Sequence, residues 1–324
     1  MRIVVPAGGV GAARFLRGLR VAVPDAEITV VGNTGDDLTL HGLRICPDLD
    51  TVMYTLGGGV NEEQGWGRSA ETYEVRAELV AYDAQPQWFT LGDRDLATHL
   101  VRTQMLAAGY PLSAVTEALC ARWRPGVRLL PMSDDRVETH VVIDDPDGGP
   151  GARRALHFQE YWVRRRAEPR AHAVVAVGAA EAAPGPGVLE AIAAADVVLL
   201  PPSNPVVSIG IVLAVPGLRA ALEAAAGPVV GLSPIVGGAP VRGMADKLLP
   251  AIGVEVTAAA VAEHYGAGLL DGWLVDTRDA AAVSRVEAAG IRCQAVPLLM
   301  SDVAATAAMA AAALALAGAV GSPR

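Results

Sequence analysis

The chain is 324 residues long, which is enough for one large domain or two modest ones with a buried core. Hydrophobic residues make up 52% and charged residues 19%, with 35 glycines and 22 prolines, a composition that excludes disordered, collagen-like and coiled-coil proteins. The formal net charge is −9 and the only dense basic run is 164–166, so we expect no nucleic-acid partner.

The cysteine pattern and the two ends of the chain bear on location. Cys46, Cys120 and Cys293 are far apart and odd in number, which favours a reducing, cytoplasmic compartment over a disulfide framework or a zinc site. The first apolar run is followed by arginines, the wrong order for a secretory signal. The uncharged run 303–320 is dominated by alanine, which favours a helix packed on the core over a membrane span. We therefore expect no membrane partner.

Short apolar runs rich in β-branched residues alternate with helical stretches along the chain. The predicted strands are IVVP near residue 3, ITVVG near 28, VVIDD near 141, AVVAV near 173, DVVLLPP near 196, PVVGLSP near 228 and GWLVD near 272. Continuous apolar strands that alternate with helices predict an α/β fold with a Rossmann-like, doubly wound, mainly parallel sheet. Ligands bind such sheets at the carboxyl ends of the strands, so the chemistry is expected there.

The stretch 51–170 has a different pattern. It contains predicted helices over 95–106 and 113–122 and a predicted hairpin turned at 144–151. We interpret 51–170 as an inserted α+β cap that binds the acceptor substrate, and 1–50 with 171–324 as the nucleotide-binding core. Because no repeat or long linker separates two folds, the cap is expected on the open edge of the sheet.

The first predicted strand ends in a glycine loop. Gly8, Gly9 and Gly11 allow close backbone approach to a phosphate, and the helix that follows adds partial positive charge at its N-terminus. Arg14 stands where the dinucleotide fingerprint requires glycine, which argues against a nicotinamide-dependent oxidoreductase. A tight strand-to-helix turn without a ligand is the alternative.

The second predicted strand runs into NTGDD (33–37), and PDLDT (47–51) follows. Four carboxylates within fifteen residues, beginning at a strand's carboxyl end, suit a hard cation such as Mg²⁺ that bridges substrate phosphates. Solvated turns and helix caps are the alternative, and the density favours function for at least two of the four. The carboxylates are those of Asp36, Asp37, Asp48 and Asp50.

Two further loops carry charged or hydroxyl side chains. In LGDRD, Arg94 stands between Asp93 and Asp95, and an arginine fixed by two carboxylates presents its planar fork to a substrate. A local surface salt bridge is the alternative. In PMSDD, Ser133 and Asp134 precede a strand, which is a weaker signal on its own.

The loops after two later strands combine proline, serine, asparagine and glycine, which suits a nucleotide, although ordinary turns use the same residues. These candidates are Ser203, Asn204, Ser208, Ser233, Pro234, Gly237 and Gly238, followed by Lys247. Lys247 is the only lysine of the chain. Either the protein requires its compact ammonium group, or it is a surface lysine retained by chance in an arginine-rich sequence.

Nine segments, in order, resemble the CofD-like 2-phospho-L-lactate transferases of coenzyme F-420 biosynthesis over most of the chain. They are GGVGAARFLRGL, NTGDD, HGLRICPDLDTVMYTLGG, LGDRDLATH, LPMSDD, HFQEYWV, PPSNPVVSIG, SPIVGGAPVRGMADKLLPAIGVEV and AEHYG. The arginine-rich bias and the GGVGAARFL opening are most similar to the actinobacterial members, whose donors carry phosphoenolpyruvyl groups. The family's glycine loop often carries a lysine near its end, where this chain has Arg14.

The resemblance implies a guanosine diphosphate-linked donor that carries an enolpyruvyl or lactyl group. It implies 7,8-didemethyl-8-hydroxy-5-deazariboflavin as the acceptor, whose ribityl hydroxyl attacks the distal phosphorus and releases GMP. This reaction requires positioning and charge neutralisation rather than a covalent nucleophile. We also expect Mg²⁺ as cofactor and a homodimer.

Matched positions imply the roles of individual residues. Asp50 and Arg94 resemble residues that contact the acceptor. The catalytic candidates are Asp37, Asp50 and Arg94. The candidates for binding Mg²⁺ are Asp37 and Asp48. Further substrate-binding candidates are Asn33, Thr34, Ser133 and Asp134. The nucleotide-binding candidates are Gly8, Gly9, Gly11, Ser203, Asn204, Ser208, Ser233, Pro234, Gly237, Gly238 and Lys247.

A regulatory protein that binds a nucleotide sugar without turnover is the alternative, because a related group shares the glycine loop and the serine-asparagine loop. The series NTGDD, PDLDT and LGDRD favours the transferase.

Overall fold

Seven parallel strands form the main sheet of the computed structural model, which describes residues 1–320. In sheet order they are β14 (Arg292–Val296), β13 (Gly272–Asp276), β10 (Val229–Leu232), β9 (Val197–Leu200), β1 (Arg2–Ala7), β2 (Glu27–Gly32) and β5 (Arg128–Pro131). Every neighbouring pair is parallel, and the strand order reverses beside β1, which lies between β2 and β9. The doubly wound parallel sheet is thereby confirmed.

The remaining strands form three small antiparallel sheets. They are the hairpin of β3 (Leu38–Leu40) and β4 (Leu43–Ile45), the hairpin of β11 (Ile235–Val236) and β12 (Ala239–Pro240), and a sheet of β7 (Arg153–His157), β6 (Glu138–Asp144) and β8 (Ala171–Val177). The strands predicted at VVIDD and AVVAV exist, but they are β6 and β8 of an antiparallel sheet, so their predicted place in the parallel sheet is wrong. Their apolar runs indicate burial but carry no information on which strand is the partner.

Within residues 1–320, twelve α-helices connect and cover the strands. They are α1 (Gly9–Ala22), α2 (Pro47–Leu56), α3 (Glu74–Ala81), α4 (Asp93–Ala107), α5 (Leu112–Trp123), α6 (Val188–Ala193), α7 (Ile209–Ala214), α8 (Leu218–Glu223), α9 (Ala245–Leu248), α10 (Ala258–Tyr265), α11 (Val283–Ala288) and α12 (Val303–Val320). Short 3₁₀ turns lie at Ala179–Glu181, Pro250–Ile252 and Thr277–Ala282, and a π-helical turn lies at Glu160–Arg164.

The main sheet buries both of its faces. Along β1, Val4 packs in one buried cluster, whereas its neighbours Ile3 and Val5 pack in another on the opposite face. The first cluster includes α6, α7, α8, α10 and the small sheet of β6–β8, and the second includes α1, α2, α5 and α12. This two-sided burial explains why the central strands are continuous apolar runs.

Helix α12 lies against α1 at a close crossing. A Cβ atom on Gly18 would come 2.5 Å from Thr306 Cγ2, so the glycine sets the approach of the two helices. Among residues 1–320, α12 is the one helix long and apolar enough, by length and composition, to cross a membrane. The packing of α12 against α1 agrees with the prediction that residues 303–320 form a helix on the core.

Sheet membership crosses the predicted domain boundaries at two strands. β5 lies inside 51–170 but joins the main sheet, and β8 lies inside 171–324 but joins the antiparallel sheet. The helices predicted in this region are α4 and α5, and the predicted hairpin is that of β6 and β7, so these elements are confirmed. The division into core and cap stays a prediction.

Candidate active site at the junction of two cavities

Two cavities lie side by side above the carboxyl ends of the central strands. The loop cavity, about 150 Å³, is lined by the glycine loop and the serine-asparagine loop. The aromatic cavity, about 260 Å³, is lined by Tyr54, Trp66 and Phe89 among others. Both cavities share a set of lining residues, here called the junction: Gly9, Val10, Asp36, Asp48 and Trp162.

The glycine loop connects β1 to α1 at the floor of the loop cavity. A Cβ atom at Gly8 would meet Ser208 Cβ at 2.6 Å, and one at Gly11 would meet the Pro202 carbonyl oxygen at 2.8 Å. Gly9 has φ +68°, a conformation that favours glycine. A side chain therefore does not fit at Gly8 or Gly11, whereas Gly9 is required for its backbone conformation.

Two arginines form a cationic wall of the loop cavity. Arg14 lies in α1, and Arg242 follows β12 and donates a hydrogen bond to the carbonyl oxygen of Gln64. Burial and the neighbouring Arg14 lower the pKa of Arg242, which indicates that the two guanidinium groups repel each other. An anion between them relieves this repulsion. The sequence pattern around Arg242 contains no signal that marked it as a site residue.

The serine and asparagine candidates of the later strands reach the loop cavity. Ser203 donates a 3.1 Å hydrogen bond from Oγ to the carbonyl of Gly8, which ties this loop to the glycine loop. Asn204 Oδ1 accepts hydrogen bonds from two backbone N–H groups, so its side chain shapes the loop. Further predicted residues that line the cavity are Ser208, Ser233 and Pro234.

Three of the predicted nucleotide-binding residues lie outside both cavities, so their nucleotide-binding role stays a prediction. Gly237 and Gly238 form the turn between β11 and β12 with φ +62° and +81°, and the Gly237 N–H donates to Asp279. Lys247 is exposed and lies 4.0 Å from Asp246. The glycines are required for a tight hairpin turn, and the lysine is a solvated surface residue.

Asp36 and Asp48 form a buried pair of carboxylates at the junction. Asn33 joins them, because its Nδ2 donates to Asp48 Oδ2 at 2.9 Å and to Asp36 Oδ1 at 3.4 Å. Burial raises the pKa of Asp48 to about 7. Burial, together with the charges of Asp48 and Asp37, raises the pKa of Asp36 well above its usual range. Two carboxylates held this close favour a shared proton or a cation.

Asp37 points away from the junction, although the sequence places it beside Asp36. Its Oδ2 lies 3.2 Å from Arg44 Nη2, and its Oδ1 has no hydrogen-bond partner in the part of the chain that the structure describes. Burial raises the pKa of Asp37 to about 6. The predicted metal pair of Asp37 and Asp48 is therefore not brought together at a cavity. Thr34 is buried near this turn and lines neither cavity.

A buried ionic network lies beneath the aromatic cavity. Asp50 of α2 accepts a hydrogen bond from the fully buried Arg102, which also lies 3.1 Å from His99 Nδ1. His99 Nε2 lies 3.3 Å from Asp95, whose carboxylate accepts a 2.6 Å hydrogen bond from Tyr54. Asp50 Oδ2 has no hydrogen-bond partner among residues 1–320 and lies 3.8 Å from His99 Nδ1. Because Asp50 lines the cavity, this oxygen can accept a hydrogen bond from a ligand.

Arg94 is not held between its two neighbouring aspartates, which corrects the geometry expected from LGDRD. Its side chain is exposed and lies outside both cavities. Asp93 instead accepts hydrogen bonds from Thr72 and from the N-terminus of α3. Asp95 faces His99 on the other side of α4. The acceptor-binding role that the resemblance implies for Arg94 stays a prediction.

Ser133 and Asp134 have structural partners away from the cavities. Ser133 Oγ donates to the carbonyl of Ala183 at 2.6 Å. Asp134 accepts hydrogen bonds from the N–H and hydroxyl groups of Ser113 at the start of α5. Their predicted substrate contacts are therefore not supported by their positions, since capping and loop closure account for both side chains.

The junction suits a divalent cation that also binds substrate. Within residues 1–320, no group of three or more His, Cys, Asp or Glu side chains converges to hold a metal ion by itself. Mg²⁺, however, is usually bound by one or two carboxylates together with substrate phosphates and water. The buried Asp36 and Asp48, with raised pKa values, fit that donor set.

Comparisons with known proteins agree with this architecture. A crystal structure of a UPF0052-family protein from Bacillus halodurans is similar, with a TM-score of 0.63 and 19% identity over 96% of this chain and 99% of that chain. This likeness concerns the fold alone.

Sequence comparisons are more specific. The model of the family 2-phospho-L-lactate transferase CofD matches residues 3–309. A phosphoenolpyruvate transferase of Streptomyces griseus subsp. griseus is 73% identical over 98% of both chains. Proteins of the same name from Thermobifida fusca and Mycolicibacterium smegmatis are 66% and 58% identical, over 98% of this chain and 98% and 99% of theirs. The chain therefore belongs to the CofD family of 2-phospho-L-lactate transferases and is an enzyme, a transferase.

Proposed function

We propose that this enzyme transfers an enolpyruvyl-phosphate or 2-phospho-L-lactyl group from a guanosine diphosphate-linked donor. The acceptor is the ribityl hydroxyl of 7,8-didemethyl-8-hydroxy-5-deazariboflavin, GMP is released, and the reaction belongs to coenzyme F-420 biosynthesis. One observation carries this proposal: a polar cavity and an aromatic cavity meet at the buried carboxylates Asp36 and Asp48. The relatives named phosphoenolpyruvate transferase favour the enolpyruvyl donor.

The loop cavity has the properties needed for the donor. Its glycine loop lies at the N-terminus of α1, where backbone N–H groups and the helix dipole favour phosphate. Arg14 and Arg242 supply positive charge beside this loop. The loops around Ser203, Asn204 and Ser233 provide polar groups for the nucleoside.

The aromatic cavity suits a planar, polycyclic acceptor. Tyr54, Trp66 and Phe89 offer ring faces and edges against which a deazaflavin ring packs. Asp50 Oδ2, which has no hydrogen-bond partner among the described residues, accepts a hydrogen bond from the acceptor. Arg102 and His99 hold Asp50 in one orientation from below.

The reaction forms one phosphorus–oxygen bond and breaks another. The ribityl hydroxyl oxygen attacks the distal phosphorus, the bond from that phosphorus to the bridging oxygen breaks, and GMP leaves. The hydroxyl proton passes to Asp50, whose carboxylate lines the aromatic cavity beside the acceptor. Binding both substrates side by side contributes the positioning that such a transfer requires.

Asp36 and Asp48 would hold Mg²⁺, rather than the pair of Asp37 and Asp48 expected from the sequence. When bound, Mg²⁺ neutralises charge on the phosphates of the donor. Arg14 and Arg242 act on the opposite side of the same phosphates. We further propose a cytoplasmic homodimer, which the three free cysteines and the family resemblance support.

Incubating purified protein with Mg²⁺, acceptor and each donor in turn tests the proposal. Mass spectrometry is expected to detect the phosphodiester together with an equal amount of GMP. Tight binding of the nucleotide without any product would instead support the alternative, a regulatory protein that binds a nucleotide sugar and does not turn it over.

A further inference from the structure

Group transfer at the junction competes with hydrolysis, because water is a small and abundant nucleophile. A transferase therefore has to exclude water from the reacting phosphorus. Of the residues that both cavities share, Trp162 has by far the largest apolar side chain, and the others are a glycine, a valine and two aspartates. Trp162 is thus positioned where donor and acceptor meet.

A short covering segment, Phe158–Val163, brings Trp162 to the junction. It follows β7, and its members line different cavities: Phe158 the loop cavity, Val163 the aromatic cavity and Trp162 both. Gln159 Nε2 donates to Asp36 Oδ2 at 3.3 Å, which fixes the segment directly against the carboxylate pair. The segment therefore forms a cover over the reaction point.

The covering segment is held in an unusual backbone conformation. It includes most of the π-helical turn Glu160–Arg164; such turns are rare overall and occur frequently at functional sites. Tyr161, within this turn, is fully buried and donates a 3.1 Å hydrogen bond to the Pro169 carbonyl. The next residue, Trp162, lies on a different side of the turn and lines both cavities.

The indole of Trp162 is supported on one side and open on the other. Its ring centroid lies 5.5 Å from that of the buried Phe158 at an angle of 43°. Trp162 nevertheless remains 41% exposed, a large value for a tryptophan that packs beside two buried carboxylates. Substrates in the two cavities would cover this exposed apolar surface.

We propose that Trp162 determines specificity for the acceptor hydroxyl over water by excluding water from the junction. This inference rests on the proposed transferase reaction. In transfer, the acceptor oxygen bonds to the distal phosphorus as the bond to GMP breaks. In hydrolysis, a water oxygen forms that bond instead, which yields GMP and the free phosphorylated three-carbon acid. Neither course oxidises or reduces any group.

The test measures which fraction of the donor is transferred to the acceptor and which fraction is hydrolysed. With acceptor at saturating concentration, GMP and phosphodiester are quantified together, and the excess of GMP over phosphodiester gives the hydrolysed fraction. The variants are Trp162→Ala, Trp162→Leu and Trp162→Phe, and circular dichroism checks that each is folded. Trp88→Ala is the control for loss of an indole next to the aromatic cavity, because Trp88 lines neither cavity but packs on Phe89, which lines the aromatic cavity.

We expect the hydrolysed fraction to rise severalfold in Trp162→Ala, less in Trp162→Leu, and to stay near the wild-type value in Trp162→Phe and Trp88→Ala. If Trp162→Ala does not fold, Trp162→Leu decides. A wild-type hydrolysed fraction in the folded variant would overturn the inference, even if the KM for the acceptor rose, because Trp162 would then only bind the ring. Wild-type enzyme that forms no phosphodiester from either donor would contradict the proposed function instead.

Discussion

The side-chain amide of Asn33 donates a 2.9 Å hydrogen bond to Asp48 Oδ2, and the N–H of Gly35 donates to the same amide's oxygen at 2.9 Å. Asn33 follows β2 and Asp48 lies in the first turn of α2, so this contact fixes two separate elements at one edge of the sheet. It also holds Asp48 beside Asp36. The carboxylate pair is thus built by Asn33 rather than by proximity in sequence.

The first prediction concerns these carboxylates. Asp36→Asn and Asp48→Asn are each expected to lower turnover by orders of magnitude, as is exhaustive chelation of divalent cations, because the charge on the donor phosphates then stays uncompensated. Steady-state kinetics with both substrates measures this effect. Asp37→Asn distinguishes the pair of Asp36 and Asp48 from the pair of Asp37 and Asp48 as the ligands of Mg²⁺. A loss of turnover as large as that of Asp36→Asn would support Asp37 as a ligand.

The second prediction concerns stability and pH in the metal-free protein. Burial raises the pKa of Asp48 to about 7, so the folded state holds a proton that the unfolded state releases at lower pH. This contribution to stability is therefore fully present below the ordinary carboxyl pKa of 3.8, falls as the pH rises, and is lost once the pH passes the folded pKa.

Thermal unfolding between about pH 6 and about pH 8 measures this fall. We expect a smaller fall in Asp48→Asn, and addition of Mg²⁺ to wild-type protein should reduce the fall as well. Asp25→Asn, at an exposed turn, is the control and should behave as wild type. An identical pH profile in Asp48→Asn and wild type would exclude Asp48 as the cause.

The third prediction compares two arginines of α4. Arg102→Met leaves the buried carboxylate of Asp50 without its cation, and the expected loss is about 3 to 5 kcal/mol in the free energy of unfolding. Arg94→Met, at an exposed position, should change it by no more than about 0.5 kcal/mol. Urea unfolding measures both values.

Fluorescence titration of the acceptor extends this comparison to binding. Arg102→Lys keeps the charge but loses the planar fork that orients Asp50, so weaker acceptor binding is expected. Arg94→Lys is expected to bind the acceptor nearly as wild type does. The opposite order of affinities would support the role that the family resemblance implies for Arg94.

The helix period explains why Arg102 is buried whereas Arg94 is exposed. Asp95, His99 and Arg102 are four and three residues apart, so they share one face of α4 and meet Asp50 there. Arg94 is next to Asp95 in sequence but is rotated by about 100° on the helix. Adjacency in LGDRD therefore gave no information on which side chain is buried.

The strands show a similar limit. β1, β2, β9 and β10 were predictable because burial on both faces requires continuous apolar residues. β5 was missed as a member of the sheet because its apolar run is two leucines followed by a proline, with no β-branched residue, and β14 because its residues are mostly half-exposed at the sheet edge. The backbone conformation of the covering segment was not predicted either, because its π-helical turn has no recognisable residue pattern.

The fourth prediction concerns the glycine loop. Gly11→Ala places a Cβ atom 2.8 Å from the Pro202 carbonyl oxygen, a backbone atom that moves only with its loop. The expected cost is about 1 to 3 kcal/mol in the free energy of unfolding, with weaker binding of guanosine nucleotide. Gly149→Ala is the matched control, because nothing lies within 4 Å of its added Cβ. Equal nucleotide affinity in the two variants would exclude the glycine loop from the donor site.

The fifth prediction concerns donor choice. The enolpyruvyl donor is expected to be accepted at least as well as the lactyl donor, in agreement with the names of the similar proteins. The two groups differ at one carbon beside the phosphate oxygen, and pockets discriminate such differences by about 1 to 3 kcal/mol. Competition between both donors at equal concentration measures the preference. Formation of the lactyl product alone would contradict the expected donor but not the transferase.

The crystal structure of a complex with GDP, Mg²⁺ and the deazaflavin acceptor tests the central claim most directly, because it locates both reacting groups. We expect the GDP phosphates beside Gly9 and Arg14, the acceptor ring beside Tyr54 and Trp66, and the distal phosphorus facing the ribityl hydroxyl next to Asp36 and Asp48. Acceptor bound away from the aromatic cavity, or a ribityl hydroxyl turned away from the distal phosphorus, would contradict a transfer between the two cavities.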